Sequence, residues 1–522
     1  MIQGAQPSPL GRISFPNSGA AAAQAPFIRG VLFLHSFEYD DAIAAFREAE
    51  TRDPSFALAY WGEAMCFNQT LWYNENVARA RDALGRLGPT AGARQAKAPT
   101  PREKGYLDAL ERLYGAGDKA ARNRAYANRM GELARQFPDD DEAAVFYALA
   151  LLGTQSESGP RDTALMLRAG AIALGVLKKN PQHPGAAHYA LHAFDDGEHA
   201  AMGLEAARTY AKIAPASSHA QHMPSHVFLP LGMWDEAVAS DQAAFATSVD
   251  LARRKGLSAA QYDFHSLSWL QYEYLQQGRF AKAREAMTQV ERALAAPPAP
   301  PALSAHQHVE SEIGRGFNPI SLKSDLASMR ARIVIESGRW DEMKGRQSFD
   351  NVDELLALGL ASVKLGDEAR AEAAFDELQR ASGAAPDADN KRLVQIMSGE
   401  VAGALQLARG QKAEALQTLA AAARFESQMP RPIARPYPVK PAIELYADAL
   451  LASGRAADAV AQFQASLART PRRARSLLGL ARAFEAAGQH ANAAKTAREF
   501  LGMWHLADAD RPELAEARRL ER

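Results

Sequence analysis

Gly454 and Gly488 stand 34 residues apart, as do His188 and His222, and His192 and His226. A recurrence at one fixed period constrains a chain strongly, because each period must fold as one unit stacked on its neighbours. A small pattern returns with it: a small residue at a turn, an aromatic two positions on and Ala five on, with Pro closing the unit. FLHSFEYDDAIAAFREAETRDP carries Tyr39, Ala42, Phe46, Ala49 and Pro54 in that phase. LGMWDEAVASDQAA carries Gly232, Trp234, Ala237 and Ala244, and ASGRAADAVAQFQASLARTP carries Gly454, Ala459, Phe463 and Pro471. Gly278, Gly338, Gly366 and Gly410 mark further turns. A helix–turn–helix unit of this length is the tetratricopeptide repeat. The predicted fold is all-α: a right-handed tetratricopeptide-repeat superhelix, an α-solenoid of about eleven units.

The chain of 522 residues is longer than one compact core usually takes, which suits a repeat array. Lys plus Arg number 60 and Asp plus Glu 61, so no net field favours nucleic acid or an anionic membrane. Cys66 is the only cysteine, which excludes internal disulfides and thiolate-rich metal sites. No apolar run is long enough to predict a membrane span. Residues 1–22 read as a flexible leader, without a basic stretch followed by an apolar core; this suits a trimmed export signal. Residues 23–292 read as an N-terminal array carrying the histidines, 293–320 as a Pro/Ala-rich loop, and 321–522 as a C-terminal array. A second Pro-rich break spans residues 429–441.

Seven of the 13 histidines fall between residues 183 and 226, where a uniform spread would put about one. Phasing units on their closing Pro puts His188 and His222 at position 5, His192 and His226 at position 9 and His219 at position 2, and counting back from Gly278 puts His265 at position 2 as well. These positions line the concave groove of such an array. Asp195 and Asp196 take positions 12 and 13, His35 position 13 of the first unit, and Trp61 position 5 of the second. Trp269 and Tyr272 lie one and two turns beyond His265, and Tyr262 precedes it at the rim. For Trp61, core packing competes with a place in the groove. His199 reads as a solvated turn residue and His183 as a structural one.

Two neutral imidazoles at i,i+4 chelate from one helix face, and a further histidine or carboxylate completes a shell. The expected cofactor is therefore a transition metal ion (zinc, copper or iron), held by residues drawn from His188, His192, His222, His226, His219 and His265. Asp195 or Asp196 would ligate or orient a ligand histidine. No HExxH occurs, so the zincin mechanism lacks its base. The leading function is a groove that binds a metal, with metal-dependent catalysis open. The alternative is a scaffold binding a peptide or protein partner in the same groove. Partners would be a small molecule or peptide, with no nucleic acid and no membrane span.

The segments FLHSFEYDDAIAAFREAETRDPSFALAYWGEAM, PGAAHYALHAFDD, SSHAQHMPSHVFLPLGMWDEAVAS and YLQQGR resemble a family of long bacterial tetratricopeptide proteins. The resemblance is close over most of the N-terminal half and loose beyond it. It implies the same fold and a shared groove at His188, His192, His222, His226 and His265. It also implies export to a periplasmic or secreted location, with a cytoplasmic one as the alternative. It supplies no activity.

Overall fold

Many helices begin where the sequence offers an oxygen to the free amides of a first turn. Asp118, Asp140, Asp162, Asp263, Asp367 and Asp387 each accept from the backbone N–H three residues on. Thr100 and Glu103 form a reciprocal capping box. At the turns, Gly232, Gly278, Gly338, Gly366, Gly410, Gly454 and Gly488 all adopt φ between 66° and 78°, a left-handed conformation that only glycine takes cheaply. The turn glycines picked out by the repeat pattern thus share one backbone state.

The computed structural model describes residues 9–155, 161–295, 319–346, 349–432 and 434–522. Ala21–His35 pairs with Tyr39–Arg52, and the chain continues as helices each packed on the next. Around the histidines run Pro184–Ala193, Leu204–Ile213, Ser218–His222, Ser225–Phe228, Trp234–Lys255, Phe264–Gln276 and Phe280–Ala295. Pro224 divides the groove-facing helix after His222. Among the described residues the only sheet is the hairpin Asn68–Gln69 with Asn74–Glu75. The architecture is an all-α solenoid of stacked helix pairs. Among the described residues no helix is long and apolar enough to cross a membrane.

Two features of organisation go beyond the sequence pattern. Residues 1–22 are not loose from residue 9 onward. Phe15 is buried with its ring 5.3 Å from Phe27, 5.6 Å from Trp61 and 5.2 Å from Tyr106, and Arg12 N donates to Gln182 O at 2.8 Å. Apolar side chains that short repeats leave uncovered hold this segment down. The boundary near residues 293–320 also does not divide the core. Residues 296–318 of that loop, with His306 and His308, lie outside the described residues. On either side of it, Leu267, Leu270, Val290 and Met329 share one apolar cluster with Leu477, Phe500 and Trp504.

The C-terminal units fold back to make this cluster. Trp234 Nε1 donates to Arg472 O at 3.0 Å, and Arg472 Nη1 donates to Gly232 O at 2.9 Å. Trp504 Nε1 donates to Gln276 O at 2.9 Å. Arg473, fully buried, pairs with Glu336 at 2.7 Å and Glu444 at 2.8 Å.

Candidate metal centre

The six groove histidines form two trios rather than one set. His188, His192 and His219 bring one nitrogen each within 4.8 Å of the others, and His222, His226 and His265 do the same. One rule builds both: positions 5 and 9 of one unit meet position 2 of the next. In the first trio, His188 Nε2 lies 2.9 Å from His219 Nε2 and 3.0 Å from His192 Nε2. In the second, His226 Nε2 lies 3.0 Å from His222 Nε2, and the His265 ring centroid is 4.8 Å from that of His222.

The opposite edges of these rings fix their chemistry. His188 Nδ1 donates to the carbonyl of His35 at 2.6 Å, His222 Nδ1 to Asp241 Oδ1 at 2.5 Å, and His226 Nδ1 to Asp195 Oδ2 at 2.9 Å. Where a neutral imidazole gives its proton at Nδ1, Nε2 is left as a lone pair. The His222–His226 contact then sets two lone pairs 3.0 Å apart, an arrangement that a shared proton or a metal cation between them would relieve. Nitrogens about 2.0–2.1 Å from a common ion sit about 2.8–3.4 Å from each other, which matches. The hydrogen bonds from ring N–H to Asp195 and Asp241 also resemble the outer partners of metal-bound histidines. His222, buried, has its pKa pushed down to about 3 by desolvation and by the neighbouring His226. Its ring is therefore neutral, the form a metal takes. Behind it, burial raises the carboxyls of Asp241 and Glu273.

A third cluster, His35, Glu142 and His183, looks similar but is wired differently. His183 Nδ1 accepts the N–H of Ala186 as a helix cap at 3.2 Å, so its proton is at Nε2, 3.2 Å from Glu142 Oε1. His35 Nε2 donates to Glu142 Oε2 at 2.8 Å, and the Tyr189 hydroxyl donates to His35 Nδ1 at 3.0 Å. Ring N–H groups face Glu142, and no pair of open lone pairs converges. Burial lowers the pKa of His35, and the two imidazoles hold Glu142 down to about 2. Gly185 permits the arrangement, because a Cβ there would lie 2.2 Å from His35 Nδ1. The cluster positions His188 through the His35 carbonyl.

A cavity of 720 Å³ opens over both trios, lined among others by Tyr39, Trp72, His192, His219, His226 and His265. That volume suits a small-molecule ligand. Other residues expected here separate clearly. Asp195 and Tyr262 line the cavity, and Trp269 stacks on His226 at 4.4 Å. Asp196 instead turns to His199, whose Nδ1 lies 2.8 Å from its Oδ2. Trp61 is core, packed against Phe15, Tyr106 and Phe146. Tyr272 is buried beside Trp234 and Arg473. His35 lies behind the groove wall, not in it.

One groove residue escaped the sequence reading. Phe37 occupies the slot that Gly232 fills in its own unit, and it adopts φ 59° without being glycine. Its ring centroid lies 4.3 Å from His188, 5.7 Å from His219 and 5.9 Å from His192. A left-handed aromatic costs about 1–2 kcal/mol, and such strain persists where surrounding structure holds it. The signal was present: Phe stands where the repeat pattern demands a small turn residue.

No family model matches this sequence, and no curated protein matches it. Among solved structures, the chain is similar to a tetratricopeptide repeat protein from Parabacteroides merdae. Identity there is 16% over 58% of this chain and 98% of that one, with a TM-score of 0.28. It is similar to the yeast protein Tom70 at 12% identity over 96% and 95% of the two chains, TM-score 0.33. It is also similar to a human IFIT1 dimer with PPP-AAAA at 14% identity over 92% and 89%, TM-score 0.33. Likenesses this distant say nothing about what the groove holds.

Proposed function

We propose that this protein holds transition metal ions (zinc, copper or iron) on the two histidine trios of its groove and acts on a small molecule bound between the groove walls. The observation that carries this reading is the His222–His226 pair, with Nε2 atoms 3.0 Å apart and both Nδ1 atoms committed to carboxylates. A metal held by these imidazoles would supply Lewis acidity to water or substrate in the groove. The chain's own residues do the rest. Asp195 and Asp241 fix the tautomer and direction of His226 and His222, and the His35 carbonyl does so for His188. Phe37 and Trp269 wall the trios with apolar rings, which excludes water from one side of each.

The test is elemental analysis of protein prepared without a histidine tag. Two equivalents of a transition metal per chain are expected, falling to one in His222→Ala and in His188→Ala. Metal at trace level in the unmodified protein, with a peptide binding saturably in the groove, would replace this reading by the scaffold.

A further inference from the structure

The wall beyond the second trio carries a cluster of donors with nothing to donate to. Arg332, on helix Pro319–Ser337, is 7% exposed, and its Nε and Nη1 atoms make no hydrogen bond. The indole Nε1–H of Trp269, itself 2% exposed, likewise has no acceptor. Arg435 comes from the second Pro-rich break. It donates from Nη1 to Ser268 Oγ, and its guanidinium carbon lies 5.8 Å from the Trp269 ring centroid. Trp269 in turn stacks on His226. The two helices meet here, where Gln271 Nε2 donates to Met329 O at 2.8 Å. Asp325 joins His265 on the cavity wall.

Buried donors without partners are rare, and each costs about 1–3 kcal/mol. Burial lowers the pKa of both arginines, and the nearby Arg332 guanidinium lowers that of Arg435 further. The nearby acids Asp325 and Asp353 offset part of this charge without hydrogen-bonding to either arginine. Asp353 takes its hydrogen bond from Ser328 at 2.5 Å and forms no ion pair with either arginine, and burial raises the carboxyls of both Asp353 and Asp325. What is missing is an acceptor with negative charge and several oxygens, and the planar fork of arginine matches carboxylate or phosphate geometry.

We propose that Arg332 and Arg435, with Trp269 Nε1, form an oxyanion anchor that holds the carboxylate or phosphate group of the small molecule whose other end reaches the His222–His226–His265 trio. This names the substrate class and rests on the reading of the trios as a metal centre. Arg435, carried by the second Pro-rich break, is then part of the site, because it is set beside Trp269 and Ser268 on a helix far earlier in the chain.

The experiment is calorimetric titration of the metal-loaded and metal-free full chain with succinate, with inorganic phosphate and with neutral succinamide as control. Saturable binding of succinate or phosphate but not succinamide is expected, and the stronger of the two names the group. Affinity is expected to fall at least tenfold in Arg435→Gln and in Arg332→Met, and less in Arg435→Lys, which keeps charge but loses the fork. Circular dichroism identifies a variant that fails to fold; Arg435, the less buried of the two, keeps the test decisive if Arg332→Met does not. Metal content is expected to stay unchanged in all three. Equal affinity of the unmodified chain and a folded Arg435→Gln, or no binding of either anion, overturns the anchor while leaving the metal centre standing. Arginine-dependent anion binding in a chain that takes up no metal upholds the anchor and overturns the metal reading instead.

Discussion

Asp195→Asn separates the two trios in a single substitution. Asp195 is 6% exposed and takes the Nδ1 proton of His226 at 2.9 Å, while its other oxygen makes no hydrogen bond. Asparagine keeps an acceptor of similar shape but removes the negative charge that makes the His226 ring a better donor to a metal. Losing such an outer partner weakens metal affinity by about 10- to 100-fold, which is about 1.4–2.7 kcal/mol. In the first trio, His188 is held instead by the His35 carbonyl. Competition titration of metal-free protein with zinc against a chromophoric chelator should therefore resolve two classes of site. In the variant one class should weaken by that factor and the other stay put. If both classes shift together, or neither shifts, the tautomer argument for the second trio fails.

Four further outcomes follow from the same geometry. Glu142→Gln sets an amide N–H against an imidazole N–H inside a closed core, and urea unfolding should show a loss of about 1–3 kcal/mol; no change would mean the buried network is not satisfied as described. Gly185→Ala drives a methyl into the His35 ring, whose nearest atom would be 2.2 Å away, and should lower the unfolding midpoint by a comparable amount and weaken metal binding at the first trio only. Phe37→Gly relieves about 1–2 kcal/mol of left-handed strain but empties a core position worth about 3–5 kcal/mol, so thermal unfolding should show net destabilisation; a stabilised variant would refute the role given to this ring. In metal-free protein, His35 and His222 titrate below their ordinary 6.5, so the unfolded chain takes up protons that the folded one refuses. Their contribution makes stability fall as pH drops from about 7 to 5, and the slope should be shallower in His222→Gln when unfolding midpoints are compared.

The period of 34 residues was enough to read the solenoid, because turn glycine, aromatic and alanine each answer a local steric demand that no distant contact overrides. Gly232 and Gly278 needed only their spacing to be placed at turns. The groove histidines were equally legible, since position in a unit fixes the direction of a side chain. The division into two trios was not, because it depends on which neighbouring unit each ring leans toward. His219 leans back to His188, and His265 leans back to His222. The register that would have paired position 2 of one unit with positions 5 and 9 of the preceding one was nevertheless in the numbering. Trp61 was ambiguous because a groove position in the second unit is covered by Phe15, from a segment with no repeat signature at all. Arg435 was out of reach: its partner Ser268 is separated from it in sequence by several complete units, and no period links them.

An open array of repeats frays from its tips, each terminal unit holding only one neighbour. Here the last units are clasped against the middle by Trp234, Arg472, Arg473 and Trp504. Residues 472–504 thus serve as a buckle, and loosening them would open the belt at the helices that carry His265 and Trp269. Shortening this protein from its C-terminus is therefore not a trimming of spare length, but a cut through the fastening of its histidine-lined hollow.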